Sequence, residues 1–139
     1  MNAHIIQMVQ QSWAKVLPIA PQAAGLFYSN LFSMDPSLKP MFRGDMQTQG
    51  AKLMAMIGAA VHKLEDLDTL IPVLQGLGRR HDTYGVKPAH YDTVGAALLK
   101  TLEQGLGEDF TLPVRAAWAH VYGVMVSVMQ EACEIAEVR

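Results

Sequence analysis

The stretch LGRRHDTYGV, residues 77–86, sets a histidine where a helix should pack leucines. Counting back from His81 in steps of three and four meets Leu77, Leu74, and Leu70 or Ile71; counting forward meets Tyr84. That spacing is the apolar stripe of an amphipathic helix. It predicts a helix starting near Leu70, with Pro72 in its first turn, and stopping at Gly85. The imidazole faces the interior, and the fold turns on what meets it there.

Outward from this helix, no stretch alternates with period two over a useful length, so the chain reads as all-α. A first helix runs from about Ala3 to Leu17, carries Ile6, Val9, Trp13 and Val16 on one face, and ends at Pro18. A second begins near Pro21 and carries Ala24, Tyr28, Leu31 and Phe32. Asp35 and Pro36 suit the cap and first residue of a short turn ending between Pro40 and Phe42. RGDMQTQG (43–50) is a loop by composition. It leads into a long helix from about Gln47 to Leu64, whose inner face carries Gln49, Leu53, Ile57 and Val61 or Ala60. VKPAHY (86–91) breaks the chain again, and two long helices follow, roughly His90–Leu106 and Leu112–Ala136. Gly105 and Gly107 close the first of these, and Thr111 caps the second. With no repeat and no linker, this predicts one all-helical domain over residues 1–139.

The chain's 139 residues are enough to bury a core, and 50% of them are hydrophobic. Only 17% are charged, the net charge is −2, and no basic patch alternates with aromatics, which argues against a nucleic-acid binder. No apolar run approaches the ~20 residues of a membrane span. The start, MNAHIIQMVQQSW, lacks the parts of a secretion signal. A single cysteine, Cys133, forms no internal disulfide, so the expected compartment is the cytoplasm. The nine methionines read as flexible core fillers.

Three polar side chains fall on faces that should be buried: Tyr28, Gln49 and His81. Each has a plain explanation. A tyrosine buries its ring and finds a partner for its hydroxyl; a glutamine near a helix start turns outward or reaches back to the backbone; a lone histidine packs with its nitrogens hydrogen-bonded. Left without partners, each would cost roughly 1–3 kcal/mol, which makes one shared polar partner attractive. A closed zinc site needs four Cys, His or carboxylate ligands, and His4, His62, His90 and His120 show no paired ligand spacing. One histidine on a leucine-lined helix is the pattern of an axial ligand to haem iron, where the porphyrin supplies the other donors.

Five pieces, LFYSNLF (26–32), PSLKPMF (36–42), QGAKLM (49–54), LGRRHDTYGVKPAHYDTVGAALL (77–99) and AAWAHVYGV (116–124), stand in an order and spacing that carry a family resemblance. Together they resemble the single-domain bacterial globins close to the haem domain of flavohaemoglobins. The resemblance covers nearly the whole chain. It implies a three-over-three helical sandwich enclosing haem b between the long middle helix and the His81 helix. It gives His81 the place of the proximal iron ligand and Phe42 that of the phenylalanine wedged against the porphyrin. Tyr28 and Gln49 match the distal tyrosine and glutamine, and Leu53 the apolar residue over the iron. Tyr91 and Tyr122 match proximal-side tyrosines. Ile57, Leu77, Tyr84, Val86 and Val94 would complete the lining. Lys52 and Arg80 are either partners of the haem propionates or solvated surface charges.

The ligands so implied are O2, NO and CO, with Tyr28 and Gln49 as the catalytic pair: Tyr28 donates a hydrogen bond to bound dioxygen, and Gln49 either donates as well or steadies the tyrosine. The activity implied is that of a nitric oxide dioxygenase, making nitrate from NO and O2. Because the chain ends at Arg139 without a flavin or nicotinamide domain, the electron would come from an external NAD(P)H-dependent reductase. The alternative is a reversible oxygen carrier serving a respiratory oxidase. Two features depart from the usual globin patterns. Gln49 replaces the common distal histidine, which argues against a bis-histidine resting state. Cys133 takes the position of the proximal-side glutamate of flavohaemoglobins, with Glu131 and Glu134 on other faces.

Overall fold

Asn2 opens the first helix by accepting a hydrogen bond from Ile5 N at 2.9 Å, the geometry of an N-cap. The computed structural model describes residues 2–42 and 44–138, with side chains as far as Ala132. Among the described residues there are six α-helices and no strand: α1 Ala3–Val16, α2 Ala20–Met34, α3 Met46–His62, α4 Leu67–Thr83, α5 Pro88–Leu106 and α6 Leu112–Val138. Short 3-10 turns lie at Leu17–Ile19, Pro36–Met41, Lys63–Glu65 and Gly107–Asp109. Pro18 ends α1 as expected, but its turn passes straight into α2 without a loop.

Helices α1, α3 and α4 form one layer and α2, α5 and α6 the other, joined chiefly where α4 and α1 cross α6 and where α3 crosses α2. Val9, Leu31, Leu64, Leu70, Trp118 and Val121 are almost wholly enclosed, each stabilising the fold by about 1.5–3 kcal/mol through burial. Two buried polar ties fix how elements meet. Trp118 Nε1 donates to Ser12 Oγ at 2.8 Å, joining α6 to α1, and the Ser12 hydroxyl in turn donates to Met8 O. Asn30 Nδ2 donates to Thr101 Oγ1 at 3.1 Å and Gln104 Oε1 at 2.9 Å, joining α2 to α5.

Two expectations about helix starts change. Asp66 caps α4 by accepting from Thr69 N, so the helix begins at Leu67 rather than near Leu70. Pro72 therefore lies inside α4 rather than in its first turn. It removes the hydrogen bond to the Asp68 carbonyl, and both residues are exposed, so water can take that role. The stretch read as a loop is helical from Met46 onward, because Asp45 accepts from Gln47 N at 3.2 Å and Thr48 Oγ1 at 2.9 Å. Asp35 accepts from Ser37 N and Thr111 Oγ1 accepts from Val114 N as expected, and Gly107, at φ +57°, closes α5; Gly105 lies inside that helix rather than closing it, and the helix begins at Pro88 rather than near His90.

Candidate functional site

His81 stands two residues before the end of α4, and that end is built around it. Val86 N donates to His81 O at 3.0 Å and Gly85 N to Asp82 O at 3.0 Å, the paired bonds of a Schellman closure. The closure requires a left-handed residue, and Gly85 supplies it at φ +85°. It also brings Val86 back beside His81. One turn up the helix, His81 Nδ1 lies 2.8 Å from Leu77 O. A carbonyl only accepts, so Nδ1 carries the proton and Nε2 keeps a free lone pair. The ring stacks on Tyr91 with centroids 6.3 Å apart and planes at 24°. Tyr91 is buried on α5, and Tyr122 Oη from α6 donates to its carbonyl at 2.6 Å. Burial pushes the Tyr122 phenol up, helped by Tyr91 and Asp92, so it remains a donor.

Across from this group, Tyr28 on α2 packs in a cluster of rings. Its centroid is 5.3 Å from Phe27, 5.9 Å from Phe32 and 5.5 Å from Phe42, which itself lies 5.5 Å from Phe32. Gly50 lets α3 close on this cluster: a Cβ there would meet Ala24 Cβ at 2.9 Å and Tyr28 Cε2 at 3.8 Å. Gln49, the preceding residue, is half-buried. The Tyr28 residue is 8% exposed, yet its hydroxyl makes no hydrogen bond among the described residues. Every fully enclosed side-chain nitrogen or oxygen there has a partner, so the Tyr28 oxygen opens onto a space. Burial raises its pKa, which keeps the phenol protonated and able to donate.

Helices α3 and α4 share no substantial interface among the described residues. Leu53 and Ile57 on α3, Leu77 and His81 on α4, Val86 after it, Val94 on α5 and Tyr122 on α6 are all half-buried. Tyr84 is the exception to the expected lining. It is 69% exposed, because the helix ends on it and the Gly85 turn carries it off the apolar face. Lys52 and Arg80 are exposed and make no ion pair among the described residues. The side chain of Cys133 lies outside the described residues.

Sequence periodicity did not single out Phe32 for the site, although its spacing from Tyr28 on the apolar face of α2 was visible. It also missed Gly50, Gly78 and Gly95, whose meaning depends on distant neighbours.

No three of His, Cys, Asp and Glu come together among the described residues. A flat, largely apolar group that brings its own metal and equatorial donors fits these residues: an Nε2 and a phenol that have no hydrogen-bond partner among the described residues, with apolar side chains around them. These are the features of a haem protein. The sequence profile of the globin family, described as "Globin", matches residues 25–129. The neuroglobin of Dissostichus mawsoni is 31% identical over 139 residues, covering 90% of this chain and 87% of that protein. The neuroglobin of Tetraodon nigroviridis is 33% identical over 137 residues (88% and 86%), and neuroglobin-1 of Oncorhynchus mykiss 30% over 137 (88% and 86%). The chain belongs to the globin family, and with that fold it is a haem-based O2-binding protein. These matches establish the family.

Proposed function

We propose that this chain is a single-domain globin of the flavohaemoglobin-like kind, which holds haem b between α3 and α4 and converts NO to nitrate. The overall change is NO + O2 + one electron giving nitrate, with the electron drawn from an external NAD(P)H-dependent reductase. Haem supplies a ferrous iron that holds O2, NO or CO and can pass charge onto the gas. The Tyr28 hydroxyl carries the reading: it is desolvated, protonated and without a hydrogen-bond partner among the described residues, which leaves it able to donate to a ligand that acquires negative charge. Gln49 stands beside it as a second polar group, while Phe42, Leu53 and Ile57 exclude water. His81, its Nδ1 held by Leu77 O, would hold the haem iron through Nε2. No helix among the described residues is long and apolar enough to cross a membrane, and the proposed setting is the cytoplasm.

The test is catalytic NO uptake by the haem-loaded chain, given NADH and a flavin-dependent reductase, with nitrate measured as product. Uptake continuing over many turnovers per haem is expected. One NO consumed per haem followed by silence, with the haem re-reduced, overturns the dioxygenase and leaves reversible O2 carriage.

A further inference from the structure

Helix α6 meets both helices of the His81 side at glycines. A Cβ on Gly78 of α4 would lie 2.3 Å from Met129 O and 2.7 Å from Met129 Cα, distances that real side chains do not tolerate. A Cβ on Gly95 of α5 would lie 2.6 Å from Tyr122 Cε2 and 3.1 Å from Cδ2. Tyr122 and Met129 stand at i and i+7 on α6, two turns apart on one face. That face therefore receives α4 at backbone contact and α5 at ring contact. Gly78 precedes His81 by less than one turn, and both it and Gly95 are buried. Tyr91, on which the His81 ring stacks, lies one turn before Gly95, and its carbonyl is held by the same Tyr122 that fills the Gly95 notch. Gly76, on the same helix as Gly78, makes a contrast: a Cβ there would meet only Arg80 Nη1, at 3.6 Å.

We propose that Gly78 and Gly95 are positioning residues, through which one face of α6 sets the height of His81 over the haem and the orientation of its ring. A methyl group at Gly78 has to lift α4 away from α6, because the obstacle is backbone and no neighbouring side chain can yield. His81 moves with it. A methyl group at Gly95 has to turn the Tyr122 ring, which releases the Tyr91 carbonyl and the face against which His81 stacks. The inference rests on His81 being the axial ligand.

Two readouts test it: the iron–histidine stretching band of the ferrous, gas-free protein, and thermal unfolding of the haem-free chain. If His81 is not the ligand, the wild type itself has no such band, so that failure is distinct from failure of this inference. Gly76→Ala should leave the band in place and not lower the haem-free midpoint. Gly78→Ala should shift the band and lower the midpoint, and Met129→Ala in the same chain should restore neither. Gly95→Ala should also shift the band, and it carries the test alone if Gly78→Ala does not fold. A folded variant at either glycine with the band unmoved from wild type overturns the proposal, even if its stability falls, because a merely structural glycine predicts that result.

Discussion

Replacing Tyr28 with phenylalanine separates two properties that usually change together. The ring's packing against Phe27, Phe32 and Phe42 is unaltered by the substitution. The lost oxygen has no hydrogen-bond partner among the described residues, so the fold gives up nothing for it. Stability should stay within about 0.5 kcal/mol of wild type, or rise as an unpaired polar group leaves a desolvated site. With O2 bound, the same oxygen donates to a charged acceptor, a bond contributing about 1.5–3 kcal/mol. At about 1.36 kcal/mol per decade, its loss should speed O2 release by roughly ten- to over a hundredfold. The assay is stopped-flow displacement of O2 by excess CO, beside thermal melts of both proteins. CO acquires little charge and accepts hydrogen bonds poorly, so its own dissociation should change far less. An O2 release rate indifferent to the mutation in a folded, haem-loaded protein would refute the reasoning and make Tyr28 a packing residue only. A marked loss of stability would refute the other half, by showing that the hydroxyl has a partner in the free protein.

Three further outcomes follow from the same contacts. The raised pKa of Tyr122, owed first to burial and then to Tyr91 and Asp92, contributes stability that is whole below the unfolded phenol's pKa of ~10 and is lost as pH climbs toward the folded value. Thermal midpoints of wild type should therefore fall more steeply above pH ~10 than those of Tyr122→Phe, and parallel curves would contradict this. Trp118→Phe removes the Nε1 bond to Ser12 and part of a ring from the core, and should cost about 1–3 kcal/mol in denaturant unfolding; a loss under about 0.5 would deny the α1–α6 tie any weight. Asp45 is held below the usual carboxylate range by Thr48 and then by Gln47 N, so its cap helps above pH ~4 and is lost as pH falls through the folded value. Asp45→Ser caps without titrating, and helical signal recorded down the acid limb should be flatter in that variant than in wild type.

The helical period around His81, and the apolar faces bearing Tyr28 and Gln49, were readable because each is a pattern within one helix, with spacings of three and four. The error at Tyr84 shows where that reasoning stops. Periodicity continues a helix until something ends it, and the Schellman bonds to His81 O and Asp82 O end this one with Tyr84 turned to solvent. Pro72 misled in the other direction: it reads as a first-turn residue, whereas the start of α4 belongs to Asp66, whose side chain reaches Thr69 N.

By itself, then, the sequence determined the helices, their buried faces and the residue types able to meet a haem, since local backbone energetics and burial periodicity act over a few residues. It could not show that Tyr28 Oη has no hydrogen-bond partner among the described residues, that α3 and α4 share no substantial interface there, or that Nδ1 of His81 is held by Leu77 O. Those depend on groups brought together from distant parts of the chain. The same holds for Gly78 and Gly95. In the sequence a glycine inside a helix is only a cost of about 1 kcal/mol; against the backbone of Met129 and the ring of Tyr122, it is the sole residue whose missing Cβ lets the helices close.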